Sequence, residues 1–578
     1  MIKKLWPHAR PYGGWIIAGI ACSAGEAIFE LLIPLVMSDI VNIGIPNADE
    51  SYILANGLKM VMMALISLAL GAGAAICSSI AGQGFGSNVR RAEYDHIQEY
   101  AFSNIEKFST ASLITRLTND VHSLQMSLMM GMRLLVRAPV MLVTALILSI
   151  SISLKLSSVF LVALPLLAVV VVSIMAKSGP LFQALQKKTD ALNLVVQENL
   201  AGIRVVKSFV KEDYELEKFT KRNRDLKATS ERAFGMVVVN MPVMMLIVNA
   251  TLIAVIWFGG RMVYFGGLPA GDLMAYFTYI MQIMMSLMMV SMMFMMMTRS
   301  VACARRVVEV LDEEPSITNE RAETDAVVND GSIDFENVFF KYNEASAEWN
   351  LKAINLHIRS GQMVGVLGGT GSAKTTLVSL IPRLYEAQEG TVRVGGRPVQ
   401  DYTMERLRDA VSVVLQKNTL FSGTIRENLL WGNPHATEEQ LWDACRAACA
   451  DEFLERLPDG LDYELDQGGV NVSGGQKQRL CIARAILKQP KVLILDDSTS
   501  AVDTATDAKI RKAFANELKD TTKIIIAQRI ASIMEADLIL VMDDGEIVAQ
   551  GTHGELIKSC EIYRDVYEAQ QEGVSIGG

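Results

Sequence analysis

Positive charge is in short supply in this 578-residue chain. Its 54 Lys and Arg are outnumbered by 63 Asp and Glu, for a net charge of −9, which leaves no basic footprint for nucleic acid. Cysteine is sparse and unpatterned. Cys22, Cys77, Cys303, Cys445, Cys449, Cys481 and Cys560 form no C-x-x-C pair, and the closest two, four apart, lack histidine neighbours. Neither a zinc site nor a disulfide framework is expected, and the thiols read as reduced in a protein that faces the cytosol. No cleavable leader is expected either: residues 1–14 carry Lys3, Lys4 and Arg10 and run into a full-length apolar stretch, so the N-terminus is expected to stay inside. Charge of either sign makes up 20% of residues against 51% hydrophobic, a balance that excludes a single-core soluble globule at this length and implies a membrane part.

The apolar excess lies before about Thr298, and the remainder has the mixed composition of an α/β domain. A bilayer core of roughly 30 Å needs about 20 apolar residues in a helix. Six stretches qualify, near 14–42, 52–82, 126–151, 157–175, 234–258 and 272–298, and an even number returns the chain to its starting side. Arg90, Arg91, Arg116 and Arg133 flank the second and third. Lys187, Lys188, Arg204, Lys207, Lys211, Lys221 and Arg222 lie between the fourth and fifth, which puts both long connections in the cytoplasm. Those connections, 91–124 and 177–233, hold few Gly or Pro and many good helix formers, so the spans are expected to continue as helices into the cytosol. Within them, 108–116 and 198–204 combine a cap-like start or a Gly break with a short amphipathic run. They are either contacts that carry motion to the second half or plain turns between helices.

Two features of the spans carry chemistry. The sixth holds Met274, Met281, Met284, Met285, Met288, Met289, Met292, Met293, Met295, Met296 and Met297, and the fifth adds Met236, Met241, Met244 and Met245. Flexible thioethers suit a cavity that repacks around many hydrophobic compounds, while methionines all round a helix also serve as ordinary packing. In the first span Glu26 and Glu30 lie four apart, on one face. Carboxylates at that depth need protein or water beside them, either to attract cationic substrates or to bond a neighbouring helix.

The second half is organised around Gly368, Gly369, Thr370, Gly371, Ser372, Ala373, Lys374, Thr375 and Thr376, a phosphate-binding loop set between an apolar strand (363–367) and a helix (377–381). In that setting the loop N–H groups and the helix N-terminus face a polyphosphate, Lys374 reaches its terminal oxygens and Thr375 can hold Mg²⁺. Ala373 stands where glycine is usual before the lysine; its methyl fits if φ is negative, so reduced tolerance is expected, not loss of binding. Around the loop stand Tyr342, able to stack on adenine, and Gln416, which ends a β-rich run and can reach Mg²⁺ or its water. Ser473, Gly474, Gly475 and Gln476 make a turn that opens a helix and offers free N–H groups to an anion. The run 492–495 delivers Asp496, suited to the metal's water shell, and Asp497, placed to orient or deprotonate the attacking water.

These ordered motifs resemble a half-transporter of the ATP-binding-cassette exporter family over nearly the whole length. The resemblance implies six transmembrane helices in residues 1–300, a linker at 301–330 and an α/β P-loop nucleotide-binding domain at 331–578, with ATP and Mg²⁺ as cofactors. It identifies Tyr342 with the adenine-stacking residue, Gln416 with the Q-loop, Ser473–Gln476 with the signature motif, Asp496 with the Walker B aspartate and Ser500-Ala501-Val502-Asp503 with the D-loop. It also implies a dimer in the lipid bilayer, with each ATP between one subunit's phosphate loop and the other's signature. Two positions depart from the family. Asp497 stands where the catalytic glutamate is usual, withdrawing the carboxylate by roughly 1.5 Å. Gln528 stands in place of the switch histidine and can donate to a phosphate oxygen without taking up positive charge. The expectation is a subunit of a bacterial multidrug exporter in the cell's inner membrane, paired with a different chain, carrying hydrophobic small molecules and hydrolysing ATP poorly at its own site. A homodimeric lipid flippase and a regulatory subunit that only binds ATP are the other readings.

Overall fold

The computed structural model describes residues 1–343, 346–497 and 503–576, leaving aside the side chains of 2, 171, 175, 291–296, 298, 299, 504, 516, 517 and 572–576. The chain divides into two compact units, Met1–Gln98 with Ala111–Asp312, and Glu99–Thr110 with Glu313–Gly578.

The first unit is all helix. Lys3–Gly44, Glu50–Glu99, Thr110–Ile152, Leu154–Ala201, Glu212–Tyr264 and Ala270–Val290 are each long and apolar enough to cross a membrane; the first five each contain one of the expected stretches, and the sixth covers 272–290 of the expected 272–298. The helix Glu50–Glu99 has 50 residues, about 75 Å at 1.5 Å per residue, so more than half of it extends beyond a hydrocarbon core of roughly 30 Å. The last helix runs without a break from Ala270 to Asp312, so residues 301–312 are helical. Polar groups among the spans bond one another, as an apolar solvent requires. The Tyr279 hydroxyl donates to the Leu31 carbonyl at 3.0 Å, and the Tyr276 hydroxyl to Ser157 Oγ at 3.0 Å. Asp272, in the first turn of the last helix, accepts from Ser38 and from Asn42 Nδ2, which ties the first and sixth spans together.

The second unit is α/β. Its strands are β1 (Ile333–Phe340), β2 (Leu351–Ile358), β3 (Met363–Gly368), β4 (Glu389–Val394), β5 (Arg397–Pro398), β6 (Val411–Val414), β7 (Gly423–Thr424), β8 (Glu464–Leu465), β9 (Val492–Asp496), β10 (Thr522–Ile526), β11 (Leu538–Asp543) and β12 (Glu546–Gly551). A six-stranded sheet runs β12-β11-β3-β10-β9-β6, parallel except for β12, and a second sheet runs β2-β1-β4-β5. Parallel strands are buried on both faces, which is why 363–367, 492–495 and 524–526 read as apolar runs without alternation. One core packs Leu377, Val378 and Ile381 with β1, β2 and β9, and the other packs the helices 438–447 and 474–487 with Tyr563 of the C-terminal helix Glu561–Ile576.

The short helix Phe102–Phe108 belongs to this second unit although the long helices on either side of it in sequence belong to the first. Buried Asn104 anchors it. Its Nδ2 donates to Glu313 Oε1 and to the Glu314 carbonyl, both at 3.0 Å, and its Oδ1 accepts from the backbone N–H of Ala101 at 3.2 Å and of Ser316 at 2.9 Å. Lys107 pairs with Glu313 at 2.6 Å, and Tyr385 donates its hydroxyl to Glu106 at 2.8 Å. The docked segment therefore lies upstream of the expected 108–116, whose residues from Ala111 onward fold with the membrane unit. The amphipathic run 108–116 leaves a contact and a plain turn equally open, and the docked helix lies upstream of most of it. What docks is held mainly by a buried amide, which leaves no periodicity to read.

Candidate nucleotide site

Three neighbouring strands of the six-stranded sheet, β3, β10 and β9, end side by side in parallel register, with Ile526 level with both Val366 and Asp496. The phosphate loop, the switch position and the two aspartates follow from those three ends, the edge where such sheets bind ligands. Gly368 closes β3 where no side chain fits, because a Cβ there would lie 2.3 Å from the Met542 carbonyl. Gly371 turns the loop at φ +87°. Lys374 bends over the loop and donates to the carbonyls of Gly368 and Gly369 at 2.9 and 2.6 Å and to Ser372 Oγ at 3.3 Å. Thr370 and Gly369 complete the curve, with nothing within 4 Å of where a Cβ on Gly369 would point.

Ala373 sits at φ +67°, ψ +25°, as N-cap of the helix Lys374–Ser379. The condition under which its methyl fits freely, a negative φ, is therefore not met. The loop turns into the helix through a left-handed residue, and the alanine adopts that conformation at a cost of roughly 1–2 kcal/mol.

Asp496 is buried, and its Oδ1 accepts from Thr375 Oγ1 at 3.1 Å. Burial pushes the Asp496 carboxyl above its ordinary range; the Thr375 hydroxyl pulls it partly back, and the Asp497 carboxylate adds to the rise. Burial likewise lowers the Lys374 ammonium, and Asp496 and Asp497 draw it back up. No cluster of three His, Cys, Asp or Glu able to hold a metal exists among the described residues. A hydroxyl beside one carboxylate nevertheless fits Mg²⁺, which takes few protein oxygens and fills its shell with water and substrate phosphate.

The next residue departs from the family, and so does its partner. Asp497 sits at φ +48°, its N–H donating to the Ile526 carbonyl at 3.1 Å. Its Oδ2 accepts from Gln528 Nε2 at 2.7 Å. The two unusual residues thus bond each other.

Tyr342 is half-exposed with its hydroxyl 3.0 Å from Thr376 Oγ1, and its ring meets Tyr385 edge-on at 5.1 Å. Tyr385 in turn holds Glu106 of the docked helix, so one aromatic contact separates the adenine-stacking position from that helix. Ser473, Gly474, Gly475 and Gln476 are not gathered with the loop. Ser473 N-caps the helix Gly474–Leu487 on the surface, in a capping box with Gln476 in which Gln476 Oε1 accepts at 2.8 Å and Ser473 Oγ at 3.3 Å. Gln416 is exposed just beyond β6, one strand over from Asp496. Asp503 caps the helix Thr504–Glu517 through the Thr506 N–H at 2.9 Å. The expected roles of Ser500, Ala501 and Val502, and of Met292, Met293, Met295 and Met296, lie outside the described residues.

In the membrane unit Glu26 and Glu30 share a partner the sequence reading passed over. Arg137 of the third span pairs with Glu26, and with Glu30 at 2.6 Å, while Gln282 Nε2 donates to Glu30 at 3.4 Å. Two carboxylates and one guanidinium leave a single net negative charge, so an unpaired acidic face for cations is not what forms. The signal was present: Arg137 interrupts the third apolar run. Of the methionines, Met244 and Met284 are buried in the helical core, whereas Met241, Met245, Met281 and Met285 are exposed on the single chain.

Residues 16–287 match the ABC transporter transmembrane region family, and residues 351–500 match the ABC transporter family. An uncharacterized ABC transporter ATP-binding protein of Bacillus subtilis is 36% identical over 571 residues, covering 98% of each chain. An ATP-dependent lipid A-core flippase of Desulfotalea psychrophila is 33% identical over 493 residues, 85% of each. A solved bacterial Atm1-family ABC exporter with ATP bound has the same fold, with a TM-score of 0.78 at 22% identity over 99% of this chain and 98% of that one. With its membrane helices fused ahead of its ATPase domain, the chain belongs to the ABC transporter family, as a multi-pass half-transporter of the exporter type.

Proposed function

We propose that this chain is one subunit of a heterodimeric exporter that moves amphipathic small molecules out of the cytoplasm across the bacterial inner membrane, and that its own phosphate loop serves the slower of two ATP sites. The single observation that carries the reading is the 2.7 Å bond from Gln528 Nε2 to Asp497 Oδ2. A general base must meet its water within hydrogen-bond reach. Here a shortened carboxylate commits one oxygen to a neutral amide, and that amide is the group that would otherwise point at a γ-phosphate oxygen. Apart from Ala373, the binding residues keep the family's pattern. Lys374 and the loop N–H groups hold the phosphates of ATP, Tyr342 carries the adenine, and Thr375, Asp496 and Gln416 would hold Mg²⁺, which supplies charge neutralisation at the phosphates. Ser473 and the N–H groups of Gly474 and Gly475 are free to serve the partner's ATP.

Steady-state ATPase of the purified transporter with single substitutions tests this. Asp497→Asn should lower turnover less than threefold, since little chemistry depends on it, whereas Ser473→Ala should lower it tenfold or more by removing a contact to the phosphate in the fast site. Equal damage from the two would reject the slow-site assignment. It would favour instead a homodimeric lipid flippase, the reading supported by the 33% identical lipid A-core flippase.

A further inference from the structure

The C-terminal helix Glu561–Ile576 shows its buried side through Tyr563, fully buried, with Val566 and Tyr567 packed against the same core. Those positions follow the i, i+3, i+4 spacing of one helix face, and the next member of the stripe, i+7, is Gln570. A carboxamide where an apolar side chain is due needs a partner. Gln570 Nε2 donates to the Gln528 carbonyl at 2.8 Å, and Gln570 Oε1 accepts from the Ile530 N–H at 2.9 Å. One side chain thereby satisfies two backbone groups of the turn that follows β10, on a backbone that leaves the sheet after buried Ala527 and re-enters the core at buried Ile530. From the middle of that turn the Gln528 side chain reaches Asp497.

We propose that Gln570 is a positioning residue for the switch position: its carboxamide clamps the Gln528–Ile530 backbone and so sets where the Gln528 side chain lies relative to Asp497 and the phosphates of bound ATP. The inference rests on the reading of Gln528 as the switch residue. A side-chain torsion at Gln528 can only aim its amide if the peptide carrying it is fixed, and at that peptide the carbonyl is held by the C-terminal helix. The helix therefore takes part in the ATP site without touching nucleotide.

The test uses the full-length transporter in nanodiscs. Hydrogen exchange at the Ile530 amide should quicken about fivefold in Gln570→Ala, which removes both bonds. It should stay near the wild-type rate in Gln570→Glu, which keeps the acceptor for that N–H and loses the donor to Gln528. Exchange should not change at residues 561–567. In a chain that also carries Asp497→Glu and Gln528→His, Gln570→Ala should lower kcat at least fivefold with the KM for ATP unchanged. Unchanged exchange at Ile530, faster exchange along the whole C-terminal helix, or a kcat indifferent to Gln570 would each overturn the proposal. If Asp497→Glu with Gln528→His hydrolyses no faster than the wild type, the slow-site reading fails, and the exchange comparison still decides on the clamp.

Discussion

Asn104 offers the sharpest test of what holds the helix Phe102–Phe108 in the nucleotide unit. Its side chain uses both amide hydrogens and accepts twice on its oxygen, at 2.9 to 3.2 Å, and it is buried. Asn104→Ala leaves three backbone groups without this partner: the buried N–H of Ala101 and the part-buried N–H of Ser316 and carbonyl of Glu314. Each unsatisfied group costs about 1–3 kcal/mol, less where water can enter. The Glu313 carboxylate keeps Lys107 at 2.6 Å and loses little. The sum is roughly 3 kcal/mol, about a 150-fold shift in the docking equilibrium of the helix Phe102–Phe108. Asn104→Asp separates the bonds by kind. It keeps both acceptor functions, loses both donors and sets a second carboxylate against Glu313, so it should be as damaging as alanine. Hydrogen exchange of 101–108 in the intact protein measures docking, and ATPase beside transport measures coupling. Exchange should rise steeply in both variants while ATP is still hydrolysed and transport per ATP falls. Wild-type exchange in Asn104→Ala, or an aspartate variant that behaves as wild type, would show that the amide does not hold the helix.

Other outcomes follow from single sites. Ala373→Val, a β-branched residue at φ +67°, should lower the melting temperature and weaken ATP binding, while Ala373→Gly, which relieves strain but loses a half-buried methyl, should stay within about 1 kcal/mol of wild type. Arg137→Met should destabilise the membrane unit by about 2–3 kcal/mol by leaving Glu26 and Glu30 unpaired, and adding Glu26→Gln and Glu30→Gln should recover most of that loss in a thermal scan. Because burial raises the Asp496 carboxyl, the folded state holds that proton longer than the unfolded chain does. Its cost to stability grows as pH rises from the ordinary value of 3.8 through the folded value and is full above it. Asp496→Asn should accordingly raise the melting temperature of the nucleotide-free protein at pH 7.5 and have little effect near pH 4.

The sequence carried the architecture because the membrane half is written in composition and the nucleotide half in motifs. Apolar runs of about 20 residues have one outcome in a bilayer, and buried parallel strands leave uninterrupted runs such as 492–495. What was not legible depended on backbone conformation or on distant partners. Ala373 looked like a tolerated methyl until its φ was known. Glu26 and Glu30 left a cation-attracting face and a bond to a neighbouring helix both open, because i, i+4 spacing reports one helix and says nothing of Arg137 across from it. Asn104 acts through residues more than 200 positions away, which no local pattern records.

The two departures at the ATP site were visible as separate substitutions, and their meaning changes once they are seen to touch. Gln528 and Asp497 belong to adjacent strand ends and share a bond of 2.7 Å, so neither can be restored alone. A glutamate at 497 is longer by one C–C bond, roughly 1.5 Å, and meets the Gln528 amide before it meets water. A histidine at 528 faces a carboxylate that remains too short for the attacking water. The gain expected of a well-placed base, about 10²–10⁴ in rate, should therefore emerge only with both changes, each single one giving less than about threefold. That is the behaviour of coupled neighbours in a double-mutant cycle, with an interaction free energy of at least about 1 kcal/mol. Additive gains would mean that the bond between Gln528 and Asp497 does not restrain the site, and the slow turnover would then have to be sought in the phosphate loop, where Ala373 is the remaining departure.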